Sequence, residues 1–366
     1  MNQHAGIGRY ARGIAGPLAA MLAPKTVNWW YAGDAAEEPP AQDLLHELSK
    51  SQHHRVERSR LSRTSVNRLY FRLGLPVSSL MKLGNAKTAY SPDFTVPSPR
   101  GSRTAITIHD LAWQVHPELA PAGLRRFLDQ VVPSQLAKAD RVFTVSEATR
   151  IEILERFQIE ESRIVVAPNA ADDRFFQRQP GNSLALSDVS LPEDYVLMVG
   201  SIEPRKNHVN VLQAVGRVPD CPALVIVGGR GWDDDEIWRR IMTAEPAGGV
   251  HAKGHVPDQE LAQLYAGARA VISASWYEGF GLPVLEGLAS GVRVVASDIP
   301  AHREVAGPYA VYVQPGDVES IADGIIRALE MGKPVDAEKL GQQGWARRFS
   351  WSQSAGRVHQ TLLELL

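Results

Sequence analysis

Two series of short apolar runs, each interleaved with stretches of helical periodicity, constrain this chain more than any other feature of its sequence. The first series has strand-like runs at Val27–Tyr31, Thr88–Tyr90, Thr104–Ile108, Arg141–Val145 and Ile164–Ala167, with helical patterns at about Leu124–Ala137 and Glu147–Phe157. The second alternates strands at Tyr195–Val199, Ala223–Val227, near Val250, at Ala270–Ser273 and at Arg293–Ala296 with helices at about Lys206–Arg217, Asp234–Thr243, Asp258–Ala266 and Pro283–Ser290. Strands that alternate with helices imply a parallel, doubly wound sheet covered on both faces. Between the series, residues 168–194 lack periodicity and carry Pro168, Pro180, Gly181, Asn182, Ser183 and Pro192, the composition of a linker. The expected fold is α/β, two doubly wound Rossmann-like domains facing across a cleft, with boundaries at 1–180 and 181–350. Helical stretches start at Asp317, Asp336 and Ser350, and residues 351–366 are expected to pack back on the first domain. Ligands of such sheets bind at the carboxyl ends of the strands, so the loops after the strands are where chemistry belongs.

A length of 366 residues, 44% hydrophobic and 22% charged, suits two soluble globular domains. The formal charge is 39 − 41 = −2; residues 1–168 carry 21 − 16 = +5 and the remainder 18 − 25 = −7, an asymmetry that again favours two domains. A slightly acidic chain with no basic recognition motif excludes nucleic acid as the expected partner. The single cysteine, Cys221, excludes an internal disulfide framework and any multi-cysteine metal site. No run reaches the ~18–20 apolar residues of a membrane span, and Pro17 interrupts the apolar patch Gly13 to Pro24 that would otherwise resemble a signal-peptide core. Residues 55–72 gather Arg55, Arg58, Arg60, Arg63, Arg68 and Arg72 among Leu61, Leu69, Tyr70, Phe71 and Leu73. Two readings stand: a basic amphipathic helix in peripheral contact with an anionic membrane, or a solvated helix with an arginine-rich face. The expected location is cytoplasmic, or peripheral at the inner face of the membrane.

The stretch with the most chemistry is Ser275 to Gly291, Ser-Trp-Tyr-Glu-Gly-Phe-Gly-Leu-Pro-Val-Leu-Glu-Gly-Leu-Ala-Ser-Gly. A strand precedes it, a glycine-flanked loop follows, and a helix starts near Pro283, so free backbone N–H groups face a crevice and favour an anion. Glu278 and Glu286 either bind hydroxyl groups of a phosphorylated polyol as acceptor-only carboxylates, or are a loop acid and a solvated helix acid. After the strand Tyr195–Val199 comes Gly200-Ser-Ile-Glu-Pro-Arg-Lys-Asn207, where Arg205 and Lys206 sit at the start of a helix. Two cations there oppose the helix dipole, and an anion such as pyrophosphate would compensate. His109 and Asp110 follow the strand Thr104–Ile108, where a substrate-contacting histidine would lie. Met1 to Tyr10 read as a glycine loop, with Gly6 and Gly8, running into a helix that ends near Pro24. Asp233-Asp234-Asp235 resembles an acidic metal-binding triplet, but acids at a helix start also simply favour the dipole. Gly228-Gly229-Arg230-Gly231 lacks the spacing of a dinucleotide fingerprint.

Glu278 to Glu286 with Glu-Gly-Phe-Gly-Leu-Pro between, Glu203-Pro-Arg-Lys-Asn207, His109-Asp110, Gly254-His-Val-Pro-Asp258, Val145-Ser-Glu147 and Gly6-Ile-Gly-Arg-Tyr10 together resemble the family-four retaining glycosyltransferases of the GT-B fold, over nearly the whole chain. The resemblance implies that Arg205 and Lys206 hold the donor diphosphate, Glu286 the ribose hydroxyls, and Glu278 hydroxyls of the transferred sugar. Backbone amides of Phe280, Gly281 and Leu282 would meet the sugar or phosphate, the Gly254–Asp258 loop with Val256 would border the base, and Gly6 and Gly8 would complete the donor site. His109 would approach the sugar from the acceptor-side domain. It implies no metal and no cofactor beyond the substrate, a nucleotide sugar with GDP-mannose as first guess, and a saccharide or lipid-linked acceptor in polysaccharide assembly. Three departures from the family pattern are expected to matter: a first strand missing ahead of the glycine loop, Ala5 in place of a second glycine, and Ala170 after Asn169. They motivate an alternative, a catalytically inactive nucleotide-sugar-binding subunit of a glycan assembly complex, which would bind a donor without turning it over.

Overall fold

The structure, a computed structural model, describes residues 6–22, 25–31, 39–50, 52–59, 65, 69, 86–97, 99, 101–177, 192–232, 234–244 and 248–366. The chain falls into two compact units. The first comprises Met1–Leu111, Gly123–Asn169 and Ser350–Leu366; the second comprises Ala112–Ala122 and Ala170–Phe349.

In the first unit, β1 (Val27–Tyr31) pairs in parallel with β2 (His54–Arg58), and β3 (Thr88–Ser91), β4 (Arg103–Ile108), β5 (Arg141–Thr144) and β6 (Ile164–Val166) form a parallel sheet in that order. Ala105, Ile106 and Ile108 of β4 and Val142 and Phe143 of β5 are fully buried, as continuous apolar runs are when helices cover both faces of a parallel sheet. The helix Gly6–Leu22 packs along the last helix, Trp351–Glu364. Gly13 permits this contact: a Cβ there would lie 2.3 Å from the Trp351 ring. Ser354 and Arg357 anchor the last helix to the end of the sheet, donating to the Pro168 carbonyl at 2.7 Å and the Val166 carbonyl at 2.7 Å.

The second unit holds β7 (Tyr195–Val199), β8 (Ala223–Val227), β9 (Val250–Ala252), β10 (Ala270–Ser273), β11 (Arg293–Ser297) and β12 (Ala310–Val313) in one parallel sheet, ordered β12-β11-β10-β7-β8-β9. Successive side chains on a strand point to opposite faces. Val196, Met198, Leu224, Ile226, Ala270 and Ile272 therefore share one face, packed with Val211, Val215, Ile237, Ile241, Ile321 and Ile325 from the helices His208–Val215, Asp235–Thr243 and Val318–Glu330. On the other face, the helix Leu282–Ala289 lies close enough that a Cβ on Gly287 would meet Val294 at 2.9 Å and Val271 at 3.4 Å. From β7 the chain winds outward to β8 and β9, then returns to β10 and winds the other way. The switch point lies between β7 and β10, the place where open parallel sheets bind ligands beyond the strand ends.

Gly228 is where β7 and β8 come closest beyond their ends. It adopts φ +156°, and a Cβ would fall 1.9 Å from the Gly200 carbonyl oxygen. Gly228→Ala is expected to destabilise the protein by roughly 1–3 kcal/mol, the usual cost of overpacking. A urea midpoint equal to that of the parent chain would contradict this close approach.

Several sequence expectations change. Residues 6–10 are already helical, so Gly6 and Gly8 occupy the opening turns of the helix Gly6–Leu22 and not a loop before it. Arg55 and Arg58 lie on β2, not on a basic helix; both are exposed, and the strand's charges at 55, 57 and 58 fall close enough together to mimic a basic helical face. The remainder of 55–72, apart from residues 65 and 69, lies outside the described residues, as does most of the aperiodic stretch 168–194 beyond residue 177. Within that stretch, Asp173–Phe175 forms a 3₁₀ turn whose Phe175 ring meets Tyr265 edge-on at 5.4 Å. The helix expected from Lys206 starts at His208, because Pro204–Lys206 is a 3₁₀ turn and Asn207 adopts left-handed φ 64° between the two. Strands β2 and β12 and the helices Pro39–Ser49, Ala112–Val115 and Pro300–Ala306 were not expected. Among the described residues, no helix is long and apolar enough to cross a membrane.

Candidate active site

The loops that follow β7 and β10 meet at the switch point of the second unit. After β7, Gly200 bends the chain at φ +153°, and the aliphatic stem of Lys206 lies over it, 3.3 Å from where a Cβ would stand. Asn207 then clamps the two loops: its amide donates to the Ala274 carbonyl at 2.9 Å and to the Pro315 carbonyl at 2.7 Å. The Trp276 N–H donates to the Arg205 carbonyl at 3.0 Å. These ties bring together segments that lie far apart in the sequence.

The result is a buried ionic cluster. Arg205 Nη1 donates to Glu278 Oε2 at 2.7 Å and to the Tyr277 carbonyl at 3.0 Å, while Arg205 Nη2 meets Glu203 Oε1 at 2.6 Å. Lys206 Nζ donates to Glu278 Oε1 at 2.5 Å, and Ser275 Oγ donates to the same oxygen at 2.7 Å. The Glu278 side chain is 9% exposed and Glu203 is 2% exposed. Sequence reasoning expected an anionic ligand to offset Arg205 and Lys206; in the structure Glu203 and Glu278 offset them. Burial alone would raise the Glu278 carboxyl, but Arg205 and Lys206, with His302 behind them, hold it well below the usual carboxylate range. Burial pushes the Glu203 carboxyl up, against Arg205 and Lys206 and with the help of the Glu278 charge.

A second layer supports the β10 loop. Ser297 Oγ, at the end of β11, donates to the Ser275 carbonyl at 2.7 Å. His302 Nδ1 stands 3.0 Å from Ser297 Oγ and 3.2 Å from the Ser297 carbonyl, which accepts, so Nδ1 carries the proton. Burial lowers the His302 pKa to about 4, keeping the ring neutral. The ring sits against Gly281, which adopts φ +109° as the N-cap of the helix Leu282–Ala289; a Cβ there would lie 2.7 Å from the imidazole.

Glu286 projects from that helix and is 2% exposed, which removes the reading of Glu286 as a solvated helix acid. Phe280 and Leu282 are buried beside it, Phe280 edge-on to Phe349 at 5.5 Å. Val256 is buried in the loop between β9 and the helix Asp258–Gly267, and the Gly228 N–H ties this loop to the end of β8 by donating to the Gly254 carbonyl at 2.8 Å. The segment Ala112–Ala122 joins this side of the unit: Trp232 Nε1 donates to the Leu119 carbonyl at 3.0 Å, and the His116 ring packs edge-on to Tyr277 at 6.1 Å. Of the acidic triplet, Asp234 is engaged by Arg230 at 2.8 and 3.1 Å, and Asp233 lies outside the described residues.

His109, Gly6 and Gly8 belong to the first unit. His109 follows β4, buried, with Nε2 2.8 Å from the Pro92 carbonyl and its ring edge-on to Tyr10 at 5.0 Å. Burial lowers its pKa, so the ring is neutral and Nε2 donates to Pro92. Gly6 is exposed and Gly8 half-buried on the first helix.

Sequence reasoning gave no role to Glu203, Ser275, Ser297 or His302. Glu203 stood beside the two cations as a visible signal. Ser297 and His302 carried none, because they act through β11 and a seven-residue helix that has no clear periodicity.

The chemistry available here is anion binding by a guanidinium and an ammonium, with carboxylates able to accept from hydroxyl groups. Residues 187–345 match the family described as Glycosyl transferases group 1, and residues 30–175 match Glycosyltransferase Family 4. The chain is 30% identical to an O-antigen chain mannosyltransferase B from Escherichia coli over 354 residues, 94% of this chain and 92% of that protein. Among solved structures it resembles sucrose-phosphate synthase from Thermosynechococcus elongatus, with TM-score 0.71, 20% identity and coverage of 99% and 94% of the two chains. It also resembles Anabaena HepE in complex with UDP and glucose, with TM-score 0.73, 17% identity and coverage of 98% and 96%. With a fold shared with such enzymes and a relative at this identity along nearly its full length, the chain belongs to the family-4 glycosyltransferases of the GT-B fold.

Proposed function

We propose that this glycosyltransferase moves a hexose, mannose first among the candidates, from a nucleotide diphosphate sugar to a saccharide or lipid-linked acceptor with retention of anomeric configuration. The observation that carries the reading is the Glu203–Arg205–Lys206–Glu278 cluster at the switch point of the second unit. It supplies two cations where the donor diphosphate would lie, beside the start of a wholly buried helix carrying Glu286. Mannose is favoured by the O-antigen mannosyltransferase at 30% identity.

In this reading the bond between the anomeric carbon and the donor phosphate breaks while the acceptor hydroxyl attacks from the same face, and the leaving diphosphate draws the acceptor proton. The protein's contribution is electrostatic: Arg205 and Lys206 stabilise the charge that builds on the diphosphate. Glu286 would accept from the ribose hydroxyls and Glu278 from the sugar, and the backbone around Phe280, Gly281 and Leu282 would approach the sugar or phosphate. Val256 would border the base. No metal or cofactor is invoked in this route.

Donor screening tests it. GDP-mannose is expected to raise the melting temperature more than UDP-glucose does, since a ligand of the folded state stabilises it with saturation. Nuclear magnetic resonance of the product should then show the α configuration of the donor preserved. A β-linked product would overturn retention, and a shift with UDP-glucose alone would overturn mannose.

A further inference from the structure

The cluster at the switch point is already neutral. Arg205 and Lys206 carry two positive charges, and Glu203 and Glu278 two negative ones, on side chains no more than 14% exposed. A nucleotide sugar adds two negative charges on its pyrophosphate. Among side chains this little exposed, that excess is unfavourable unless a negative charge leaves or a positive one arrives.

The two glutamates are not equivalent. Glu278 gathers Arg205 Nη1 at 2.7 Å, Lys206 Nζ at 2.5 Å and Ser275 Oγ at 2.7 Å, so its ionised form is held from three sides. Glu203 meets the far side of the same guanidinium, Nη2, at 2.6 Å. It is pinned at the start of the 3₁₀ turn, with Gly231 so near that a Cβ there would come within 3.2 Å of the Glu203 Cβ.

We propose that Glu203 is a positioning residue of the donor site that takes one proton from solvent when the diphosphate binds, becoming a neutral acid and leaving the Arg205 charge to the ligand. This rests on the donor site proposed above. No covalent bond changes; the carboxylate gains a proton as the two ligand charges enter.

The groups around Glu203 support this assignment. On its own turn are Arg205 and Lys206, and His208 opens the following helix; from the β10 loop comes Glu278; the segment after β8 carries Arg230, paired with Asp234 and Asp235. His208 is buried, its pKa depressed to about 4 by burial and then by Lys206, so it stays uncharged near neutrality. The Arg230 charge is met by its two aspartates. Glu203 itself is biased toward the protonated form, by burial before any neighbour. It is the cluster member whose charge is least costly to give up.

Calorimetry with GDP-mannose and with UDP-glucose, in buffers of different ionisation enthalpy, measures the protons exchanged. Neither donor carries a pyrophosphate group that titrates near neutrality, so proton exchange reports on the protein. The parent chain is expected to take up about one proton per donor bound near neutrality, and its Kd to rise with pH, about tenfold per unit where that uptake is complete. Glu203→Gln should bind with proton uptake near zero, and Glu203→Asp should restore it; a merely structural role would weaken binding without changing the proton count. Where Glu203→Gln fails to fold, the pH dependence of Kd in the parent chain decides alone. Binding with no proton uptake, a Kd independent of pH, or uptake undiminished in Glu203→Gln overturns the role of Glu203. Absence of binding by both donors overturns the donor site itself, and with it this inference.

Discussion

Lys206→Ala is expected to lower turnover about 10²–10³-fold, the loss that follows removal of one preorganised charge from a developing anion, or about 2.7–4 kcal/mol of transition-state stabilisation. The protein should remain folded. Glu278 would keep Arg205 and Ser275 as donors, so its carboxylate is not left alone in a buried site, the circumstance that makes breaking a buried pair so destabilising. The loss should appear in kcat as well as in donor affinity, because the charge on the diphosphate grows as the glycosidic bond breaks. Initial rates with GDP-mannose, beside a melting curve, decide the matter. Unchanged turnover in a folded variant would remove Lys206 from the chemistry and leave it an ordinary structural cation.

The second large effect is acid destabilisation. His208 and His302 are buried, each with its pKa depressed to about 4 from an ordinary value of 6.5, burial being the main cause. The unfolded chain therefore binds more protons than the folded one between about pH 4 and about pH 6.5. Stability is fully present above that window and falls as pH drops through it, by up to about 3 kcal/mol for each histidine. The Glu278 carboxyl, held low, adds a further loss only below about pH 4.3, where an unfolded glutamate takes up its proton. Urea midpoints at about pH 7.5 and about pH 5 should differ clearly. His302→Asn keeps a donor near the Nδ1 position toward Ser297 and removes the titrating ring, so its midpoint should depend less on pH. Equal midpoints for the parent chain at the two pH values would show that neither ring is held neutral.

The second unit was largely legible because its inner strands carry runs of three to five apolar residues buried on both faces, a pattern that survives without any knowledge of partners. β12 escaped because Ala310–Val313 is a short edge strand, and the helix Pro300–Ala306 because seven residues cover barely two turns. In the first unit the arginines of β2 imitated a helical face. Of the candidate site, the cations at 205 and 206 and the acids at 278 and 286 could be singled out from residue type and loop position. Their pairing could not, since Arg205 and Glu278 stand 73 positions apart and meet only because β7 and β10 are neighbours in the sheet. Nothing local in the sequence states that strand order. The position of Glu203 behind the guanidinium, and the Ser275–Ser297–His302 chain behind Glu278, follow from the same long-range register.

The division of the chain also bears on how it is made. The first unit includes Ser350–Leu366, and its opening helix rests on Trp351. A ribosome must therefore have made Ser350–Leu366 before the first unit can close, while Ala112–Ala122 and Ala170–Phe349 are already available to complete the second. The usual vectorial order, amino-terminal domain first, is inverted. Until the last helix emerges, the helix Gly6–Leu22 lacks the partner along which it packs, and Tyr10 lacks the Trp351 ring that meets it edge-on at 6.1 Å.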